Sequence, residues 1–149
     1  MPKDETIQVR QSDYESDEAF LRAVRFEVFV DEQRVPPEIE MDERDPHCIH
    51  FLAFEGQRAV GTVRIDLEQN GKIGRLAVLA ACRRRGIGRA LMEACHSLAA
   101  QHGLDTVWCH AQVAAESFYR GLGYGAVGQV FEEAGIAHRR MRKRLDPSA

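Results

Sequence analysis

The run Arg83-Arg84-Arg85-Gly86-Ile87-Gly88-Arg89-Ala90 lies between a strand-like segment at 72–78 and a helical pattern ending near Gln101, and it constrains this chain more than any other feature. A strand that enters a helix through a short, basic, glycine-bearing turn is an α/β unit built around the start of that helix. The first N–H groups of a helix have no internal acceptor and carry the positive end of its dipole, while glycine admits an oxyanion without a Cβ in the way. The turn therefore suits a phosphate ligand, and its several donors suit a pyrophosphate. A P-loop would end in Gly-Lys-Ser/Thr, which is absent. A dinucleotide fingerprint would place Gly or Ala at position 91, which is Leu91.

With 149 residues and 44% hydrophobic composition, the chain reads as one domain, 1–149, able to bury a normal core. A net charge of −3 offers nucleic acid no general attraction, and the basic runs at 83–85 and 138–144 are too short to supply one, so no nucleic-acid partner is expected. No apolar stretch approaches the roughly 20 residues of a membrane span, and Met1-Pro2-Lys3-Asp4-Glu5 lacks an apolar leader segment. The expectation is a cytoplasmic protein with no membrane partner. Cys48, Cys82, Cys95 and Cys109 are irregularly spaced and form no C-x-x-C pair, which favours reduced, mostly buried thiols. The six histidines show no ligand spacing, and no metal is expected.

Along the chain, residues 7–10 predict a strand, and Ser16 is a plausible N-cap for a helix running to about Val30 with Leu21, Val24 and Val28 on its apolar stripe. Arg25 lies near that stripe. Val35-Pro36-Pro37 interrupts the helix, and an acidic segment leads to strands at 50–55 and 59–68. Asn70-Gly71 predicts a hairpin turn into 72–78. Ile87, Ala90, Leu91, Ala94, Cys95 and Leu98 recur at helical spacing, and Gly103 can end that helix. A strand at 106–111, a short helix at 114–121 and terminal strands at 127–133 and 138–145 complete the order. A meander followed by alternating strands and helices implies an α/β fold, a mixed sheet of six to seven strands with helices on both faces.

The spacing Arg-x-x-Gly-x-Gly from Arg83 to Gly88, with its flanking elements, resembles motif A of the GCN5-related N-acetyltransferases (GNAT). The resemblance covers essentially the whole chain and implies acetyl-CoA as cosubstrate. In that family the motif A strand splays from its neighbour and offers backbone groups to pantetheine. The matching positions here are Leu76, Ala77 and Val78. The pyrophosphate would lie on N–H groups from Arg84 to Ala90, with Arg83, Arg84, Arg85 and Arg89 around it and Gly86, Ile87 and Gly88 forming the turn.

Gln112-Val113-Ala114-Ala115-Glu116-Ser117-Phe118-Tyr119 resembles motif B, with Gln112 where the family commonly has Asn. Tyr119 stands at the position of the family's usual tyrosine and is the candidate general acid for the departing thiolate. It also belongs to an apolar stripe with Ala115, Phe118 and Leu122, so a core role is open to it.

The segment from Leu21 to Gln33, followed by Glu40, Asp42 and Asp45, resembles the ElaA-like and YjcF-like branches. It is also similar to the acyl-homoserine-lactone synthases, whose Arg, Phe, Glu-x-Asp-x-x-Asp and strand Arg pattern matches Arg25, Phe29, Glu40, Asp42, Asp45 and Arg64. A tryptophan typical of those synthases is absent. An inward Arg25 needs a carboxylate, which Glu40, Asp42 or Asp45 can supply, either pinning a loop or contacting an acceptor. Glu32, Glu40, Asp42, Glu55 and His110 are available as a base, and Glu40 is carried as the candidate. His110 shares a strand face with Trp108 and Gln112 and reads as a core or supporting residue beside the acceptor.

The resemblance implies direct transfer of an acetyl group from acetyl-CoA to a primary amine of a small molecule. The alternatives are a lactone-synthase-like acyltransferase and a silent acyl-CoA sensor. The terminal strands could pair across a homodimer.

Overall fold

The computed structural model describes residues 6–145. Met1 to Glu5, read above for the absence of a leader, and residues 146–149 lie outside the described residues. The strands are β1 (Ile7–Ser12), β2 (Ile49–Glu55), β3 (Arg58–Asp66), β4 (Lys72–Val78), β5 (Thr106–Gln112), β6 (Gly125–Glu133) and β7 (Ile136–Arg144). The helices are α1 (Tyr14–Arg25), α2 (Pro37–Glu40), α3 (Ile87–Gln101) and α4 (Glu116–Gly121). The strands form a seven-stranded sheet in the order β1-β2-β3-β4-β5-β7-β6. All neighbours are antiparallel except β4 and β5.

β3 is buried without a break from Val60 to Asp66, because helices cover both of its faces. The 2-residue alternation expected for an exposed face is therefore absent in its burial. α3 comes close to β3 at Gly61, where a Cβ would lie 3.0 Å from Leu91 Cδ1 and 3.1 Å from Ile87 Cγ2. Leu21, Val24, Leu52, Ile65, Ile73, Leu91 and Met141 are fully enclosed and make up much of the core.

The first helix differs from its expected start. Asp13, not Ser16, is the N-cap: its carboxylate accepts from Ser16 N at 3.0 Å and from Ser16 Oγ at 2.7 Å. An ionised acceptor outcompetes a hydroxyl for the free N–H groups of the first turn. Tyr14 then begins the helix, stacked on His50 with ring centroids 5.2 Å apart. At the other end, α1 gives way at Phe26 to a π-helical stretch, Phe26–Glu32. There Gln33 N donates to Val28 O at 3.0 Å, and just beyond it Val35 N donates to Phe29 O at 2.8 Å. This wider winding lets Phe29 and Gln33 reach the cleft described next.

Candidate active site

β4 and β5 pair only at Lys72↔Trp108 and Ile73↔Cys109. Beyond that register they part, so the β5-facing side of Gly74–Val78 and the facing side of 110–112 carry no shared ladder. β4 is also irregular on its other side, where its register with β3 shifts between Thr62 and Arg64 and Arg75 adopts φ 53°. The opening is the crotch of a cleft of about 870 Å3 that crosses the sheet.

One end of the cleft is the loop between β4 and α3. Gly86 is the N-cap of α3 at φ 80°, a left-handed backbone that glycine adopts without steric cost, and no side chain caps the helix. The N-terminal dipole and the first N–H groups thus face the cleft at Gly86, Ile87 and Gly88. Leu76, Ala77, Val78, Arg83, Arg84, Arg89, Gln112 and Tyr119 also line it, whereas Arg85 and Ala90 stand outside the lining.

The arginines do different jobs. Arg83 donates to both oxygens of Glu32 at 2.7 and 2.6 Å and to Val78 O at 3.0 Å, tying the π-helical stretch to the loop. Arg85 donates to Glu55 at 2.6 Å, and Arg89 lies 3.4 Å from Glu93. Replacing Gly86 with Ala is expected to cost about 1 kcal/mol in folding stability, since an L side chain is disfavoured at that φ. Calorimetric titration with coenzyme A should show weaker binding as the turn shifts.

The other end is bounded by a buried ion network. Arg25 is 0% exposed, with Nε donating to Glu40 Oε2 at 2.8 Å, Nη1 to Asp45 Oδ1 at 2.8 Å and Nη2 to the Glu40 carbonyl at 2.6 Å. Arg64 donates to Asp42 Oδ1 and Asp45 Oδ1, each at 2.7 Å. Arg75 donates to Asp42 Oδ2 at 3.1 Å and to the Glu40 carbonyl at 3.1 Å, and lies 3.2 Å from Glu40 Oε2. His50 Nε2 fixes the Asp45 carbonyl at 2.8 Å.

Burial opposes the charge on Asp42, yet the Arg64 hydrogen bond and the charges of Arg64 and Arg75 hold its carboxyl down to about 2. Burial pushes the Glu40 carboxyl up, against the pull of Arg75 and Arg25. Phe29, Glu40, Asp42 and Arg64 line the cleft, while Arg25 and Asp45 lie beneath its surface. The residues of the acidic pattern are thus brought together as a loop anchor. Glu40, carried above as the base, has Oε2 occupied by two guanidinium groups.

β5 and the β6–β7 hairpin close this end. His110 lines the cleft and its Nδ1 lies 2.9 Å from Glu133 Oε1. Gln112 donates to Gln33 Oε1 at 2.8 Å, which joins β5 to the turn after the π-helical stretch. Tyr119 reaches the cleft from α4, its ring packed edge-on against Phe118 and Tyr124 at 5.1 and 5.6 Å. Burial pushes its phenol up from the ordinary value, and a phenol is protonated at neutral pH in either case. Arg75, Gln33, Glu133 and His138 also line the cleft and were not singled out from sequence. For Arg75 the available signal was a lone charge inside an apolar strand; the other three had none.

A parted parallel pair beside an uncapped helix start is an architecture that can be compared directly. Residues 11–145 match the model of the acetyltransferase (GNAT) domain. This chain belongs to the GNAT acetyltransferase family.

The Bacillus subtilis protein YjcF, called an uncharacterized N-acetyltransferase, is 38% identical over 122 residues, spanning 80% of this chain and 87% of that protein. Escherichia coli ElaA is 34% identical over 125 residues, spanning 79% and 81%. The ElaA crystal structure superposes with a TM-score of 0.83 at 27% identity, covering 93% of this chain and 100% of ElaA. An acyl-CoA N-acyltransferase from Pseudomonas aeruginosa gives 0.82 at 28% identity, covering 93% and 99%. These relatives support the ElaA/YjcF-like branch of the GNAT fold. The family uses acetyl-CoA as cosubstrate, and the residues at the β4–α3 turn, an uncapped helix start with cleft-lining arginines, suit its pyrophosphate. Among the described residues no helix is long and apolar enough to cross a membrane.

Proposed function

We propose that this protein transfers an acetyl group directly from acetyl-CoA to a primary amine of a small molecule. The observation that carries this reading is the parting of β4 and β5 immediately after Ile73↔Cys109, with the start of α3 at one end of the same cleft and Tyr119 inside it. Pantetheine would run along Leu76, Ala77 and Val78 on the side of β4 that faces β5, where no strand ladder competes for its amides, although the Val78 carbonyl also accepts from Arg83. The pyrophosphate would rest on the N–H groups at the start of α3, with Arg84 beside it.

The thioester then lies near the crotch, and the amine approaches from the end bounded by Phe29, Asp42, Arg64 and His110. Holding nucleophile and thioester together supplies the proximity term of the rate acceleration. Tyr119, protonated and shielded, gives its proton to the departing thiolate.

A thiol-release assay with acetyl-CoA across a broad amine panel tests the reading, with coenzyme binding followed by calorimetry. Turnover with one amine class is the expected result; failure to bind acetyl-CoA or coenzyme A would sink it. Binding without turnover would favour a sensor. The clustering of Arg25, Glu40, Asp42, Asp45 and Arg64 keeps a second reading, lactone synthesis from an acyl donor and S-adenosylmethionine. Mass spectrometry that detects no lactone rejects it.

A further inference from the structure

We propose that His110 is the general base that takes the proton from the incoming ammonium, and that Glu133 of the β6–β7 hairpin positions it. The inference rests on the acetyltransferase reading above and names a residue that this reading leaves open.

Its first support is place. Cys109 is the last residue of β5 paired to β4, so His110 is the first residue beyond the crotch, where the thioester of a coenzyme lying between the strands would sit. Its side chain lines the cleft, as does that of Tyr119.

The second support is tautomer. Glu133 Oε1 is 2.9 Å from His110 Nδ1, and an ionised carboxylate only accepts, so Nδ1 carries the proton. That hydrogen bond also holds the Glu133 carboxyl below the ordinary range. The remaining nitrogen, Nε2, then has its lone pair available, and among the described residues it has no hydrogen-bond partner. The ring is held edge-on between Trp108, at 5.5 Å, and Phe131, at 4.8 Å, which limits its rotation.

The third support is elimination. Of the other carboxylates that line the cleft, Glu40, Asp42 and Asp66 each hold at least one guanidinium, from Arg25 and Arg75, Arg64 and Arg75, and Arg44 respectively. Glu133 instead holds an imidazole.

Charged groups reach His110 from each strand packed on it. Glu133 on β6 is the anion that meets the ring, at Nδ1. Lys72 on β4 and Arg140 on β7 are the cations on this face; both sit over the Trp108 ring, at 5.3 and 4.2 Å, and Arg140 is the cross-strand partner of His110. His138 on β7, with Nε2 4.0 Å from Glu133 Oε2, competes for the same carboxylate when protonated.

In the step itself, Nε2 takes one proton from the ammonium, and the freed nitrogen lone pair forms the bond to the thioester carbonyl carbon. The carbon–sulfur bond breaks, the sulfur leaves with the electron pair, and Tyr119 supplies its proton. The second proton lost by the amine nitrogen returns the phenol to its starting state, and His110 releases its proton to solvent.

The test is the pH dependence of kcat/KM for an accepted amine in wild type, His110→Gln and Glu133→Gln, each shown by calorimetry to bind coenzyme A. His110→Gln is expected to lose about 100-fold at neutral pH. It should lack the acid limb of the wild type and recover as the pH rises and the amine arrives already deprotonated. Glu133→Gln should lose less and move the acid limb to lower pH, because the imidazolium loses its anion.

A His110→Gln variant that keeps the wild-type limb and rate overturns the assignment alone. So does a Glu133→Gln variant with an unmoved limb, which decides the matter should His110→Gln not fold. A wild-type protein that binds acetyl-CoA yet acetylates no amine overturns the enzymatic reading and this assignment together.

Discussion

Replacing Tyr119 with Phe should lower turnover on an accepted amine by about 100-fold or more while coenzyme A binding changes little. The ring packs edge-on against Phe118 and Tyr124, and those contacts survive removal of the hydroxyl. Among the described residues the phenol has no hydrogen-bond partner, so its loss strands no buried group. What the proposed acid role would lose is its proton donor, a phenol that lines the cleft.

Tyr124 provides the control, since its hydroxyl is 2.7 Å from His96 Nε2 and it does not line the cleft. Tyr124→Phe should cost about 1 kcal/mol of stability through the lost hydrogen bond. Steady-state thiol release and denaturant melts separate the two variants, and unchanged turnover in Tyr119→Phe removes the acid role.

Replacing Arg25 with Met should cost about 3–5 kcal/mol of folding stability, a large share of the roughly 5–15 kcal/mol expected for a domain of this size. The methionine fills similar volume but leaves Asp45 with only Arg64 and Glu40 with only Arg75, in a site where Arg25 and Asp45 are 0% exposed and Glu40 is 3% exposed. The stranded charge, more than the lost attraction, sets the cost. Adding Glu40→Gln should therefore recover part of the loss, as urea denaturation of both variants will show. A midpoint within error of wild type would refute a structural role for the network.

The same groups give the protein an acid limit. Asp42 and Asp45 are held below the ordinary carboxylate range, Asp42 at about 2. Their stabilisation is complete above the unfolded-state value of roughly 4 and is lost as the pH falls through the lowered folded values.

Much of the fold was legible because helices, hairpin turns and the basic glycine turn are written in residues close together in the chain. Asn70, at φ 60°, and Gly71, at φ 83°, complete the turn into β4, but β3 ends at Asp66, two residues short of the expected strand, and a 3-10 turn at Leu67–Gln69 precedes the pair. The start of α1 was misjudged by a choice between two local acceptors, Asp13 and Ser16, that competition for the same N–H groups decided. The π-helical stretch after Arg25 left no mark on the apolar spacing Leu21, Val24 and Val28, which ends within its first residues.

The sequence by itself determined two contiguous motifs on which the proposed coenzyme end rests, Arg83 to Ala90 and Gln112 to Tyr119, whose local backbone short-range interactions dictate. Only the tertiary structure decided which distant partners these motifs and the proposed acceptor end take. Arg83 pairs with Glu32, Gln112 with Gln33, and Arg25 with Glu40 and Asp45, across long stretches of chain. Glu133 meets His110 only because β7 pairs with both β5 and β6 in one particular register. The strand members of these pairs depend on how the whole sheet closes, since a one-residue slip would send His110, Gln112 or Glu133 to the opposite face.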